Sequence, residues 1–256
     1  MAIPKGSLMR TANPALNANT FTSLDYAGGE TDAMTLQGTV NKTGILLLLT
    51  IVSAVWVWNL FFTSLNPAAV MPWVAVGAIG GFVVGLVTAF KKNWSAVTAP
   101  LYAVLEGLTL GGISSILEMQ FPGIVIEAVA LTFGTLLCLL VAYRSGLIRP
   151  SENFKLGVAS ATGAIALFYF ATMILGFFGV NVSFFYGNSL LSIGISVVIV
   201  IIAALNLVLD FDFIEAGAAN GAPKYMEWYS AFGLLVTLVW LYIEILRLLA
   251  KLRSRD

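Results

Sequence analysis

The chain has 256 residues, 59% of them hydrophobic and only 10% charged, with a mean hydropathy of +0.93. A water-soluble domain carries roughly a quarter charged residues, so this chain cannot cover a water-facing surface and reads as a membrane protein. Thirteen basic against thirteen acidic residues leave no net charge, which argues against a nucleic-acid partner. Histidine is absent, which excludes Ser-His-Asp hydrolases, His-metal proteases and His-ligated haem.

Residues 1–41 are polar and mixed. No apolar run follows Lys5 or Arg10, so they do not read as a secretory signal. They are expected to form a flexible tail with one short interfacial helix around 34–40. An unbroken apolar run starts at Ile45. A bilayer core needs about 20 apolar residues per helix, and seven segments qualify: 44–65, 69–90, 95–119, 123–143, 156–178, 190–212 and 226–249. Lipid offers no water to backbone groups, so each must be helical, and the alternating pattern of a membrane β-barrel is missing. The expected fold is all-α, a polytopic bundle of seven transmembrane helices over 42–250, followed by a basic tail, 251–256. Cys138 is single and forms no internal disulfide.

The loops alternate in charge. Lys5, Arg10, Lys42, Lys91, Lys92, Arg144, Arg149, Lys155 and Lys224 fall on one side, and 66–68, 120–122 and 179–188 carry no Lys or Arg. The positive-inside rule then places the N-terminus in the cytoplasm, with the chain in the cell's inner membrane. Arg247, Lys251, Arg253 and Arg255 break the pattern. Either seven full crossings put them outside, or one of the last two segments is re-entrant; the sequence leaves the side of the C-terminus open. Small residues at 77, 81, 85 and at 107, 111, 115 form ridges that read as helix-packing seams.

Acids in apolar surroundings are the informative residues. Glu106 sits near the middle of the third segment, Asp210 and Asp212 end the sixth, and Glu244 lies in the seventh. An ionised Asp at a helix centre costs about 2.5–3.5 kcal/mol on insertion, a cost tolerated where the group lines water, finds a partner or stays protonated. Tyr102 lies one turn before Glu106 and Asn206 one turn before Asp210, both as donors, and Arg247 stands three residues after Glu244. Asp212 points about 200° away from Asp210 round the helix. Glu215 and Glu227 flank the last loop and read as solvated boundary residues, as do Glu118 and Glu127 at the opposite end. Carboxylates without histidine or paired thiols suit a proton or a hard cation such as calcium, with Asp210 and Asp212 as candidate ligands. Two carboxylates held close titrate nearer neutrality than one alone.

The stretches Leu105-Glu106-Gly107-Leu108-Thr109-Leu110-Gly111 and Phe121-Pro122-Gly123-Ile124-Val125, with Asp210-Phe211-Asp212-Phe213-Ile214-Glu215 and Leu241-Tyr242-Ile243-Glu244, resemble the Bax inhibitor family and its bacterial branch. The resemblance spans about 43–249. It implies a seven-helix bundle with the last helix central, and for some members a proton-sensitive calcium leak in which an acid late in the sixth helix pairs with one in the seventh. Asp210 or Asp212 would fill the first role and Glu244 the second, although Glu244 stands where the family has Asp and lies late in its segment. Glu106 matches a Glu of some members.

Three functions compete. The first is a pH-sensitive calcium or cation leak gated by Asp210, Asp212, Glu244 and Glu106, supported by Asn206, Tyr102 and Arg247, passing calcium at neutral pH and less in acid. The second is a non-transporting regulator that binds other membrane proteins, such as a membrane protease, through its N-terminal tail. An intramembrane enzyme is set aside, because Gly-x-Ser-x-Gly and the aspartyl-protease signatures are missing. No cofactor is expected beyond calcium as a transported ion.

Overall fold

The computed structural model describes residues 33–179 and 187–255. Seven helices in it are long and apolar enough to cross a membrane: α1 (Leu36–Ser64), α2 (Pro67–Phe90), α3 (Ser95–Gln120), α4 (Ile124–Arg144), α5 (Glu152–Phe177), α6 (Leu190–Ala219) and α7 (Met226–Arg253). The protein is a seven-helix membrane bundle.

Local chemistry sets the ends. Thr35, Asn66, Ser151 and Ser189 each turn a side-chain oxygen onto an amide of the following first turn, and Pro67 opens α2 where no amide is needed. Leu65, the only non-glycine residue at positive φ among the described residues, closes α1 in a two-residue turn. At the α3–α4 corner Gly123 takes φ +85°, and Glu118 accepts hydrogen bonds from the amides of Gly123 (2.6 Å) and Val125 (3.0 Å). Glu118 is therefore a cap of α4 rather than a free surface acid.

Three boundaries depart from the sequence reading for one reason: the helix extends beyond its apolar run. α1 begins at Leu36 rather than 44, so the short helix expected around 34–40 is no separate interfacial piece but the first turns of α1. α6 runs on past Asp212 to Ala219, and α7 continues through Arg253, so the first half of the expected basic tail is helix. The sequence positions before 33 and most of loop 179–188 lie outside the described residues.

α7 is the central helix. It is 61% buried over its most apolar window, against 11% for α5, and it packs on α1, α3, α4 and α6. Its C-terminal end reaches the α3–α4 corner, where Arg253 donates to the carbonyls of Phe121 (3.3 Å) and Pro122 (2.7 Å) and pairs with Glu127 at 2.6 Å. Both α6 and α7 are long and apolar enough to cross the membrane, and the end of α7 lies at the end of the bundle opposite the start of α1. The basic residues that break the charge rule are partly neutralised there, Arg247 by Glu244 and Arg253 by Glu127.

Both small-residue ridges are packing seams. A Cβ at Gly77 would stand 2.5 Å from the Leu105 carbonyl, and one at Gly85 3.3 Å from the Tyr102 ring, so α2 rides on α3. On the other side of α3, a Cβ at Gly107 would overlap Ser53 and one at Gly111 would overlap the backbone of Ala54 in α1. Backbone cannot yield as a side-chain tip can. Gly111→Leu is expected to cost about 3 kcal/mol, the upper end for overpacking, visible as lost monodispersity in size-exclusion chromatography and a lowered Tm.

Candidate functional site: polar contacts inside the bundle

Asp210 is fully buried on α6. It lies about 8 Å from the helix midpoint at 1.5 Å per residue, toward the end where α1 begins. Glu244, 2% exposed, lies about 7 Å from the midpoint of α7, toward the opposite end. The two helices run antiparallel through a short turn, so the acids stand in different halves of the membrane. The sixth–seventh acid pair implied by the resemblance is not assembled, whichever of Asp210 and Asp212 is chosen.

The acids turn to α5 instead. Lys155 of α5 meets Asp212 at 2.7 Å and Glu152 at 3.2 Å. Asn206 of α6 donates to the Thr162 hydroxyl (2.8 Å) and to the carbonyl of Ile202 (2.8 Å). The Tyr169 hydroxyl donates to Glu244 (2.6 Å) and accepts from Arg247 (2.6 Å), while Arg247 also reaches both oxygens of Glu244 at 3.0 and 3.1 Å. The Arg247 guanidinium lies 5.3 Å over the Tyr169 ring. Lys155, Thr162 and Tyr169 are spaced by seven, which puts them on one face of α5. They form three polar rungs that fasten an otherwise lipid-facing helix to the α6–α7 hairpin. Among the seven named site and supporting residues, Asp212, Asn206, Glu244 and Arg247 are joined through α5 and not through one another, apart from the Glu244–Arg247 pair. Both amide hydrogens of Asn206 are engaged by Thr162 and Ile202, so it does not serve Asp210 as expected.

Glu106 lies apart, at the α2–α3 seam. Tyr102 stands one turn back as its near neighbour on α3, and a Cβ at Gly81 would stand 3.1 Å from its Oε1. Asp210 and Asp212 lie about 200° apart round α6, Asp212 is held by Lys155, and no group of three or more acidic, Cys or His residues able to hold a metal occurs among the described residues. The two-aspartate calcium site is not brought together.

Glu227, read from the sequence as a solvated boundary residue, is fully buried. It accepts from the amide (2.9 Å) and hydroxyl (2.8 Å) of Thr35, pairs with Lys224 at 3.0 Å and pairs with Lys42 of α1. Gly38 makes the room, since a Cβ there would overlap the carboxylate. Beside it Ala33 bridges Pro223, and the Met34 amide donates to the Ala222 carbonyl at 2.6 Å. The segment before α1 thus roofs the start of α7. The missed signals were Lys224 three residues before Glu227, and the heptad of polar residues along α5.

The family model described as Bax inhibitor 1 like matches residues 13–254, which takes in all seven helices. The chain belongs to the Bax inhibitor 1-like family. No curated protein and no solved structure matches it. As the resemblance implied, this Bax inhibitor 1-like protein has a central last helix, but it ties Asp212 and Glu244 to α5 rather than joining the sixth and seventh helices through an acid pair.

Proposed function

We propose that this Bax inhibitor 1-like protein is a pH-responsive cation leak of the inner membrane, with its N-terminus in the cytoplasm. The observation that carries the reading is Asp210, a carboxyl with no exposed surface, inside the bilayer core on the hairpin that includes the central helix. Such a group is costly unless it has work to do. An ionised Asp210 attracts a cation and a protonated one does not, so flux falls in acid. α5 is the movable element, because its hold on α6–α7 is polar and its apolar burial is slight. The basic residues Lys42, Lys91, Lys92, Arg144, Arg149, Lys155 and Lys224, gathered at one end of the described bundle, support the cytoplasmic placement. No catalysis and no resident cofactor are assigned.

The test is calcium entry into dye-loaded liposomes. Wild-type protein is expected to pass calcium at neutral pH and much less in acid. Asp210→Asn should lower neutral flux by about tenfold or more, while Asp212→Asn, which frees one rung of α5, should raise it. Absence of flux with folded wild-type protein would sink the reading.

A second reading, a regulator that binds other membrane proteins, is favoured by the roof over α7: residues 33–35 are fixed beside the α6–α7 turn, so whatever precedes them emerges there. Deleting residues 1–32, which spares the Glu227 contacts, should abolish partner co-purification; an unchanged profile counts against it.

A further inference from the structure

We propose that the cleft between α1 and α4 is a binding site for one anionic phospholipid, with Arg144 and Arg149 holding its phosphate. This goes beyond the leak reading and does not depend on it.

Two cavities line up along this cleft. The first, 880 Å³, lies at the end where α1 begins, walled by Leu36, Val40, Leu136, Leu140, Phe211 and Leu234. The second, 510 Å³, continues toward the opposite end past Thr50, Val129, Phe133 and Leu238. Leu47 belongs to both, so they meet. From Leu36 to Asn59 the cleft follows α1 for about 35 Å at 1.5 Å per residue, so it runs from the headgroup level at the start of α1 into the hydrocarbon core, which is about 30 Å thick. A greasy trench of that height, open at the side in a membrane, is filled by acyl chain.

The mouth carries the headgroup chemistry. Arg144 and Arg149 both line the first cavity, and neither guanidinium meets a carboxylate or other acceptor among the described residues. Lys42, Lys155, Lys224, Arg247 and Arg253, by contrast, are each paired with an acid. Gly146, at φ +72°, leaves the space over which Arg149 folds; a Cβ there would press its Nη2 at 3.2 Å. Two acids share the wall, Asp212 and Glu215. Asp212 is neutralised by Lys155, and Glu215 accepts from the Tyr143 hydroxyl at 2.5 Å. What remains for an incoming group is two guanidiniums, unpaired among the described residues, against the one carboxylate charge of Glu215, a net positive mouth above an apolar slot that matches a phosphodiester with acyl chains below it.

The experiment is native mass spectrometry of the full chain in mild detergent, with phosphatidylglycerol and phosphatidylcholine added back to delipidated protein. Wild-type protein is expected to retain one phosphatidylglycerol, held about tenfold or more tighter than phosphatidylcholine. The double variant Arg144→Gln/Arg149→Gln should lose that preference. Gly44→Phe should lose the lipid by filling the slot, since Gly44 lines it and a Cβ there meets nothing within 4 Å. Equal retention of the two lipids, unchanged phosphatidylglycerol retention in either variant, or retention that arises only after removal of residues 1–32 (the chain's own N-terminal segment being the occupant) would overturn the proposal.

Discussion

Glu227→Ala is expected to be the most damaging single substitution at the end of the bundle where α1 begins. It removes the acceptor for the amide and hydroxyl of Thr35 and leaves Lys42 and Lys224 facing each other across the vacated space. Breaking a buried pair by deleting one partner costs about 3–5 kcal/mol. Lys224 is half exposed and regains water, so the lower figure applies, about 3 kcal/mol or a Tm lowered by roughly 8 °C. Glu227→Gln keeps an oxygen for Thr35 and should lose about half as much. Lys224→Gln should change little, as exposed pairs contribute under about 1 kcal/mol. Thermal unfolding in detergent measures all three. Limited proteolysis of Glu227→Ala should also cut near residues 33–36, which the carboxylate ties down. A Tm unchanged in Glu227→Ala would mean that the roof over α7 contributes nothing to stability.

Glu244→Ala strands a guanidinium and a phenol in the half of the membrane away from the start of α1. Arg247 then has only Tyr169, and Tyr169 loses its acceptor. The expected loss is again about 3 kcal/mol. The pair is not expected to stabilise by itself. Replacing both partners, as in Glu244→Leu/Arg247→Met, should recover most of the loss, because the desolvated charges leave together. A thermal double-mutant cycle should therefore return a coupling of about 2 kcal/mol. Tyr169→Phe, which removes a hydroxyl and keeps the ring under Arg247, should cost about 1 kcal/mol. Additive effects of the two charge changes would contradict the three-residue contact.

Much of the architecture is legible in the residues because lipid imposes it. The seven apolar runs coincide with seven helices, and the ridges at 77, 81, 85 and at 107, 111 coincide with the two seams of α3. Hydropathy fails at the ends, where Lys42 and Glu215 sit on helix that has left the apolar zone. The partners of the acids are harder to read. Sequence spacing finds neighbours on one helix, such as Tyr102 for Glu106 and Arg247 for Glu244, and both hold. It cannot show that Asp212 and Asn206 face a third helix, because that depends on how α5 lies against the hairpin. Glu227 eludes it for the same reason: its burial comes from Thr35, Gly38 and Lys42, as many as 192 residues away in the sequence. The heptad Lys155, Thr162, Tyr169 was the available clue, three polar side chains in register along an otherwise greasy segment.

Biogenesis inherits a constraint from those rungs. In order of synthesis α5 leaves the ribosome before the hairpin that it leans on, so its polar stripe first meets lipid or the insertion machinery. Thr162 and Tyr169 gain their contacts with the hairpin only once Asn206, Glu244 and Arg247 have been made. Final seating of the fifth crossing therefore waits for the last turn of the chain, and a truncation before Glu244 would deliver a protein whose fifth helix is inserted yet undocked, the kind of intermediate that membrane quality-control proteases remove.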